Sequence, residues 1–368
     1  MKPITLILVN GFLGAGKTTL LVAAAKSLQA RGKRVGVITN DQATDLVDTF
    51  SLHREGIAVA EVAGGCFCCQ FDGLMVALDE LLARGARPEV VFAEAVGSCT
   101  DLSATVIQPL KDLHADRVRL APYTVVVDVT RLQKADKLLT EQGFGEDILY
   151  IFDQQVQEAD ILLLNKTDAL PTAEIDRLQA QLAARNPHAR FLRSAARQGE
   201  GVDAWLDSAL AGGASGTTLL DVDYDRYADG EAELGWLNAR TEVTVSTDTD
   251  WQAFARNLLL RLRHACDARG AAVAHVKLAL SAAGGSIVGN LTEAGAEPLL
   301  RVIGSPSEAA HQAALVVNAR VRVDPDELRR DVETALATIP GATVRILELA
   351  AFRPGRPQPK HHYDHVVS

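Results

Sequence analysis

Short, continuous apolar runs rich in β-branched residues recur through the first 210 positions, at 4–9, 35–39, 58–62, 90–93, 124–128, 161–164 and 190–192. They are unbroken rather than alternating, as expected of strands buried on both faces. Between them lie stretches with helical spacing, at 17–30, 73–84, 132–139, 172–185 and 202–210. This alternation predicts an α/β domain over residues 1–210, a doubly wound, mostly parallel sheet whose ligands sit beyond the carboxyl ends of the strands. Gly212, Gly213 and Gly216 then break the pattern and an acidic stretch follows, so 211–235 reads as a linker. Beyond it, 240–246 alternates like a strand, and 250–269 carries Trp251, Phe254, Leu258 and Leu262 on one helical stripe. Strands at 272–280, 286–291, 313–323 and 343–349 with a helix at 325–338 complete a second, α+β domain of ferredoxin-like type over 236–352. The tail, 353–368, is rich in proline and histidine and reads as flexible.

Composition narrows the function. The 368 residues are 48% hydrophobic and 23% charged, enough for packed cores without disulfides. A net charge of -10, from 37 basic and 47 acidic residues, argues against nucleic acid or an anionic membrane as partner. No apolar run approaches the ~20 residues of a membrane span, and the first residues lack the form of a signal peptide. The expected location is the cytoplasm. Three of the five cysteines fall within four positions, Cys66, Cys68 and Cys69. In a reducing compartment that crowding points to metal or redox chemistry rather than disulfides.

Gly11 to Thr18 reads G-x-x-x-x-G-K-T between a predicted strand and a predicted helix, the context of a phosphate-binding loop. Gly11, Gly14, Ala15 and Gly16 let backbone N–H groups wrap the phosphates, with Thr19 following in the first helical turn. Lys17 supplies a point charge to the outer phosphates, and the Thr18 hydroxyl is a ligand for Mg²⁺. Glu94 closes the strand at 90–93, where a carboxylate either holds Mg²⁺ or is a solvated strand end. Gly97 is placed to offer its N–H to a γ-phosphate. Asp41, just after the strand at 35–39, is a second acid for the metal or the attacking water, ahead of Asp45 and Asp48.

Asn165-Lys166-Thr167-Asp168 follows the strand at 161–164. A carboxylate such as Asp168 can accept from both N1–H and the exocyclic amine of guanine, which adenine does not match. Asn165 and Lys166 would brace that loop. Ser194 and Ala195, after the next strand, are candidates to donate a backbone N–H to the guanine oxygen. The expected cofactors are therefore GTP or GDP with Mg²⁺.

Gly64-Gly65-Cys66-Phe67-Cys68-Cys69 supplies three soft ligands for Zn²⁺ or Cu(I). A redox-active pair is the alternative. His361, His362 and His365 form a second candidate metal site, or merely a polar end.

Taken in order, G-x-x-G-x-G-K-[ST], G-C-x-C-C, E-x-x-G and N-K-x-D resemble the CobW-type GTPases, relatives of the UreG and HypB nickel-enzyme maturation GTPases. The resemblance covers residues 4–210. It implies a metallochaperone that couples GTP hydrolysis to delivery of Zn²⁺ or Co²⁺ to a metal-requiring client protein. It assigns family roles to Lys17, Thr18, Cys66, Cys68, Cys69, Glu94, Asn165, Lys166 and Asp168. The chain departs from the pattern at Asn40-Asp41-Gln42-Ala43 and at Gly97-Ser98-Cys99, the presumed switch segments. No arginine finger is evident, so slow turnover is expected, with positioning supplied by a partner or a homodimer. Two other readings fit: a GTPase chaperone of a cobalamin enzyme, and a P-loop kinase acting on a small molecule.

Overall fold

The computed structural model describes residues 2–41, 47–85, 87–133 and 144–367. Strands β1 (Ile4–Asn10), β2 (Val35–Asn40), β3 (Ala58–Val62), β4 (Val90–Glu94), β5 (Val118–Leu120), β6 (Thr124–Asp128), β7 (Ile161–Asn165) and β8 (Arg190–Arg193) form one sheet. Its order is β3-β2-β4-β1-β6-β7-β8, with β5 beside the start of β1. All its pairings are parallel. Every residue of β2, β4, β6 and β7 is buried, which accounts for their unbroken apolar sequences.

Helices α1 (Lys17–Ala30), α2 (Val47–Arg54), α3 (Phe71–Ala83), α4 (Gln108–His114), α5 (Glu146–Glu158), α6 (Thr172–Arg185) and α7 (Val202–Leu210) connect these strands. One core gathers Phe67, Phe71, Leu78, Val106 and Val156. Another joins Leu20, Leu21, Leu28, Phe92 and Trp205. The sequence pattern leaves β5, α2, α4 and α5 unmarked. In α5 the reason is chemical, since its buried face carries Gln154, Gln155 and Glu158 among the apolar residues. The helix expected at 132–139 falls largely outside the described residues, as does Asp45.

The region read as a linker is structured. Helix α8 (Tyr224–Ala232) starts at Asp223, whose carboxylate accepts the N–H groups of Asp225 and Arg226 at 3.0 and 3.1 Å. It packs on α5 and buries Tyr227 and Glu231. The acidic stretch read as linker supplies a helix cap at Asp223 and a buried hydrogen-bond acceptor at Glu231.

The second sheet is antiparallel throughout. It contains β9 (Gly235–Val245), β10 (Val273–Ala282), β11 (Gly285–Leu291), β12 (Leu299–Gly304), β13 (Gln312–Val321) and β14 (Ala342–Phe352), in the order β12-β11-β10-β13-β9-β14. With α9 (Trp251–Arg269) and α10 (Pro325–Ala337), the core order β14-β9-β13-β10 is the ferredoxin-like βαββαβ arrangement, extended by β11 and β12. Phe254, Leu258, Leu262, Val332 and Leu336 fill the space between helices and sheet. The opposite face carries His275, Lys277, Ala279, Asn318 and Arg320. It turns toward the first domain, so His275, Asn318 and Arg320 are buried.

The tail expected to be flexible lies along the first domain. Lys360 N–H donates to Cys68 O at 2.9 Å and Tyr363 N–H to Ala104 O at 3.1 Å. Val367 N–H donates to Gln108 Oε1 at 2.8 Å.

Candidate nucleotide and metal site

The loop from Gly11 to Thr18 joins β1 to α1 at the carboxyl edge of the sheet. Gly11 has φ 137°, and a Cβ there would lie 2.2 Å from Val126 O, so no other residue fits. Lys17 is buried and its Nζ donates to Gly11 O at 2.6 Å, folded back across its own loop. Burial lowers its pKa, opposed by the nearby Glu94. Ala15 N–H donates to Phe12 O at 3.0 Å, and Thr19 is exposed in the first turn of α1. The free N–H groups of that turn and the helix dipole favour an anion.

Thr18 Oγ1 lies 2.8 Å from both Asp48 Oδ1 and Glu94 Oε1. A hydroxyl has one proton to give, so a carboxyl must supply the other. Glu94 is the better proton carrier, because burial, followed by the repulsion of Asp48, raises its pKa to about 7. Burial works against the Asp48 anion too, but Lys277, Thr18 and Lys17 outweigh it and hold Asp48 low. Glu94 Oε2 is buried with no hydrogen-bond partner. Three hard oxygen donors around an unsatisfied carboxylate oxygen fit Mg²⁺.

Asp41, placed ahead of Asp48 from the sequence, pairs with a different cation. Its Oδ1 pairs at 2.8 Å with Arg320 on β13. Lys277 on β10, which the sequence pattern did not single out, brings its ammonium to 2.6 Å from Asp48 Oδ2. Arg131 is a further unmarked residue. Its guanidinium donates to Leu13 O at 2.6 Å and to Ala274 O at 2.7 Å, joining the phosphate loop to β10. Gly14, with φ 81°, lies beside the same strand, where an added Cβ would come within 3.3 Å of Ala274 O.

Gly97 lies on the other side of the phosphate loop. A Cβ there would come within 2.9 Å of Leu13 N. Helix α5 holds this segment in place, since Gln155 Nε2 donates to Gly97 O at 3.1 Å and to Cys99 O at 2.7 Å. Thr100 Oγ1 donates to Glu158 Oε1 at 3.1 Å. Burial first, then Asp101, raises the Glu158 pKa to about 8.

At the far end of the loop, Asn165 Nδ2 donates to Ala15 O at 2.9 Å, while its Oδ1 accepts from Ser194 Oγ and Ala196 N–H at 3.0 and 3.1 Å. Gly16 leaves room for that amide, which would be 2.6 Å from a Cβ. Lys166 has φ 63° and reaches Gly14 O at 3.0 Å and Asp128 Oδ2 at 2.5 Å. Asp168 is exposed and accepts from Gln198 Nε2 at 3.1 Å. The backbone donors expected at Ser194 and Ala195 are engaged. Ser194 N–H bonds Leu164 O at 2.8 Å in the parallel ladder, and Ala195 N–H bonds Glu200 O at 3.0 Å. Neither is free to meet a guanine oxygen in this arrangement.

Cys66, Cys68 and Cys69 occupy the turn before α3, and their Sγ atoms all lie within 4.8 Å of one another. Cys66 Sγ is 2.6 Å from Cys68 Sγ and 3.4 Å from Cys69 Sγ. Hydrogen bonds from Cys68, Cys69 and Cys99 pull the Cys66 thiol well below its usual range. The bond to Cys66 pushes Cys68 well above that range and raises Cys69 to about 11. One thiolate shared by its neighbours is a nucleus for a soft metal ion. Asn40, at the end of β2, braces this turn: its Nδ2 donates to Val62 O and Gly65 O at 3.0 and 2.7 Å, and its Oδ1 accepts Phe67 N–H at 2.9 Å. The histidines of the tail lie nearby, and among the described residues the metal-ligand cluster consists of the three cysteines without them. His361 packs edge-on to Phe71, and His362 Nε2 sits 3.2 Å from Asp101 Oδ2.

Comparison with known proteins follows the first domain. The nucleotide-binding domain described as CobW/HypB/UreG matches residues 5–193, just over half of the chain. The chain is 27% identical over 196 residues to a zinc chaperone CobW of Sinorhizobium, covering 48% of this chain and 54% of that protein. It is 30% identical over 194 residues to the zinc chaperone YjiA of Escherichia coli, covering 51% and 57%. It is 38% identical over 247 residues to the hydrogenase maturation factor HypB of Cupriavidus necator, covering 62% and 68%. The chain spans about half the length of the first two relatives. A crystal structure of Zn(II)-bound YjiA aligns over 91% of this chain and 99% of that one, with 17% identity and a TM-score of 0.37. No described helix is long and apolar enough to cross a membrane. With its phosphate loop, its paired acids and its thiol turn in one parallel sheet, this chain belongs to the CobW/HypB/UreG nucleotide-binding family.

Proposed function

We infer that this protein binds and hydrolyses GTP and uses the nucleotide to hold and hand on a transition metal, Zn²⁺ or Co²⁺, to a metal-requiring client. The observation that carries this reading is the bracing of the thiol turn by both segments that flank the phosphate loop. Asn40 ties it to the end of β2, and Cys99, two residues after Gly97, packs in the same buried cluster as Cys66 and acts on its thiol. A change in either segment therefore reaches the sulfur ligands directly. The names of relatives, among them zinc chaperones and a zinc-regulated GTPase metalloprotein activator, agree with it.

In this reading Gly11, Gly14, Ala15 and Gly16 wrap the phosphates while Lys17 leaves Gly11 O to meet them. Thr18, Asp48 and Glu94 hold Mg²⁺, which neutralises charge on the outer phosphates when bound. Asp168 reads the guanine edge, with Asn165 and Lys166 fastening its loop to the phosphate loop. Cys66, Cys68 and Cys69 hold the cargo as thiolates, and sulfur donors favour Zn²⁺.

Zinc affinity measured with Mg²⁺–GTP and with Mg²⁺–GDP, by competition against a chelating dye, tests the coupling. A difference of tenfold or more, about 1.4 kcal/mol, is expected. Equal affinities in the two states would leave a GTPase with an uncoupled thiol site.

A further inference from the structure

Helix α2, which carries Asp48, is fastened to the second domain. Val47 N–H donates to Asn318 Oδ1 at 2.9 Å. Val47 and Phe50 pack with Ala279, Val288, Ile303 and Val316. Asp41, before the helix, pairs with the buried Arg320. Lys277 sits between these anchors. Its Nζ meets Asp48 Oδ2 at 2.6 Å while Thr18 holds Oδ1 at 2.8 Å, so each domain grips one oxygen of the same carboxylate. The ammonium also acts on Glu94 and Lys17.

The placement has a physical reason. Asp48, Glu94 and Thr18 make an oxygen set whose natural occupant is a cation, and a buried acid pair without one is costly. Lys17 is turned away to Gly11 O. Lys277 is the cation in direct contact with Asp48, and it comes from the other domain. On β10 it alternates with Val276, Leu278 and Leu280, which face the helices, so it projects from the face that meets α2.

We propose that Lys277 is the cation of the nucleotide-free site, and that Mg²⁺ arriving with nucleotide displaces it from Asp48, releasing the second domain's grip on α2. An ammonium and Mg²⁺ repel each other, and both need the same carboxylate, so occupancy by one weakens the other. The second domain thereby becomes part of the switch: it is latched when the phosphate loop is empty and loosened when it is loaded. This rests on the nucleotide-binding reading above and adds a residue and a domain to it.

The test is the Mg²⁺ concentration that half-maximally slows release of N-methylanthraniloyl-GDP from the full chain. It is measured for wild type, Lys277→Met and Lys277→Arg. Removing the competitor should lower that midpoint roughly tenfold or more in Lys277→Met, while Lys277→Arg, which keeps a cation, should stay within about threefold of wild type. A midpoint that is unmoved or raised in Lys277→Met overturns the proposal. Should that variant not fold, hydrogen exchange on wild type decides. Amides of α2 and β10 are expected to lose protection when Mg²⁺–GDP is added, and unchanged protection overturns the latch. If wild type does not bind the fluorescent GDP at all, the nucleotide reading itself falls and takes the latch with it. Binding with an unmoved midpoint sinks only the role of Lys277.

Discussion

The oxygen set at Thr18, Asp48 and Glu94 and the sulfur set at Cys66, Cys68 and Cys69 are both clusters of proton-releasing groups, largely withdrawn from water. They solve the charge problem differently. The oxygen set is flanked by Lys17 and Lys277, and burial beside Asp48 raises the Glu94 pKa to about 7. Among the described residues, the groups that act most strongly on the sulfur set are other thiols, backbone N–H groups and the protein's apolar interior. Charge there is limited by sharing protons between sulfurs. A site with resident cations can fill and empty without large changes in net charge. A site without them binds a divalent ion most strongly and releases it only if its geometry is altered. That suits the first to a nucleotide cycle and the second to cargo.

The largest expected effect tests whether the sulfur set stands alone. Replacing Cys66 and Cys68 together by serine should weaken zinc binding at least ~100-fold, since lesser changes around zinc ligands already cost 10–100-fold. GDP affinity should stay within about twofold; a parallel loss of GDP binding would show the two sites to be one. Next is the division of labour between the acids. Asp48→Asn should weaken the Mg²⁺ dependence of GDP binding by roughly tenfold, whereas Asp41→Asn should leave it unchanged and cost ~1–3 kcal/mol of stability by removing the carboxylate that pairs with the buried Arg320. The reverse result, read by denaturant melts and Mg²⁺ titration, would restore Asp41 to the metal.

Asn40→Ala addresses the connection between the sets. Loss of its two hydrogen bonds to the thiol turn, and of a third to the end of β3, should shrink the GTP-versus-GDP difference in zinc affinity by about 3–10-fold. A difference that survives intact would move the coupling to Cys99. The smallest effect concerns pH. Glu158 is protonated in the folded protein up to about pH 8 and ionises far lower when unfolded. Its contribution is complete below the unfolded pKa and is lost as pH rises through the folded one. Between pH 5 and 8 the Tm of wild type should fall by ~2 °C or more relative to Glu158→Gln. Parallel curves would show that Glu158 shares its proton with other groups.

Local chemistry was legible in the sequence and long-range chemistry was not. Gly11 to Thr18, Glu94 and Asn165 to Asp168 announce themselves because each motif is short and sits at a strand end. The parallel sheet was legible for the same reason, since strands buried on both faces cannot hide their composition. Helix α5 was missed because the polar Gln155 and Glu158 interrupt its apolar face, where they are buried beneath Gly97 to Thr100. Asp48 stood in a row of acids with nothing local to rank it above Asp41. Lys277 offered a faint signal, a lysine with His275 on the polar face of an alternating strand, but alternation alone assigns that face to water. The tail was read from its prolines, which describe backbone stiffness and say nothing of the groove it follows.

Arg131 has a consequence for how such a protein can change over generations. It ties the backbone of the phosphate loop at Leu13 to that of β10 at Ala274, while Lys277 answers Asp48 and Arg320 answers Asp41 across the same seam. Arg131 meets backbone oxygens that any residue supplies, but a substitution at Lys277, Asp48, Arg320 or Asp41 leaves a charge without its counterpart, so those four positions should drift together or not at all. Exchanging the second domain for that of a distant relative would break every one of these pairs at once. The heritable unit is then the seam with both its sides, and surfaces well away from it are free to change without it.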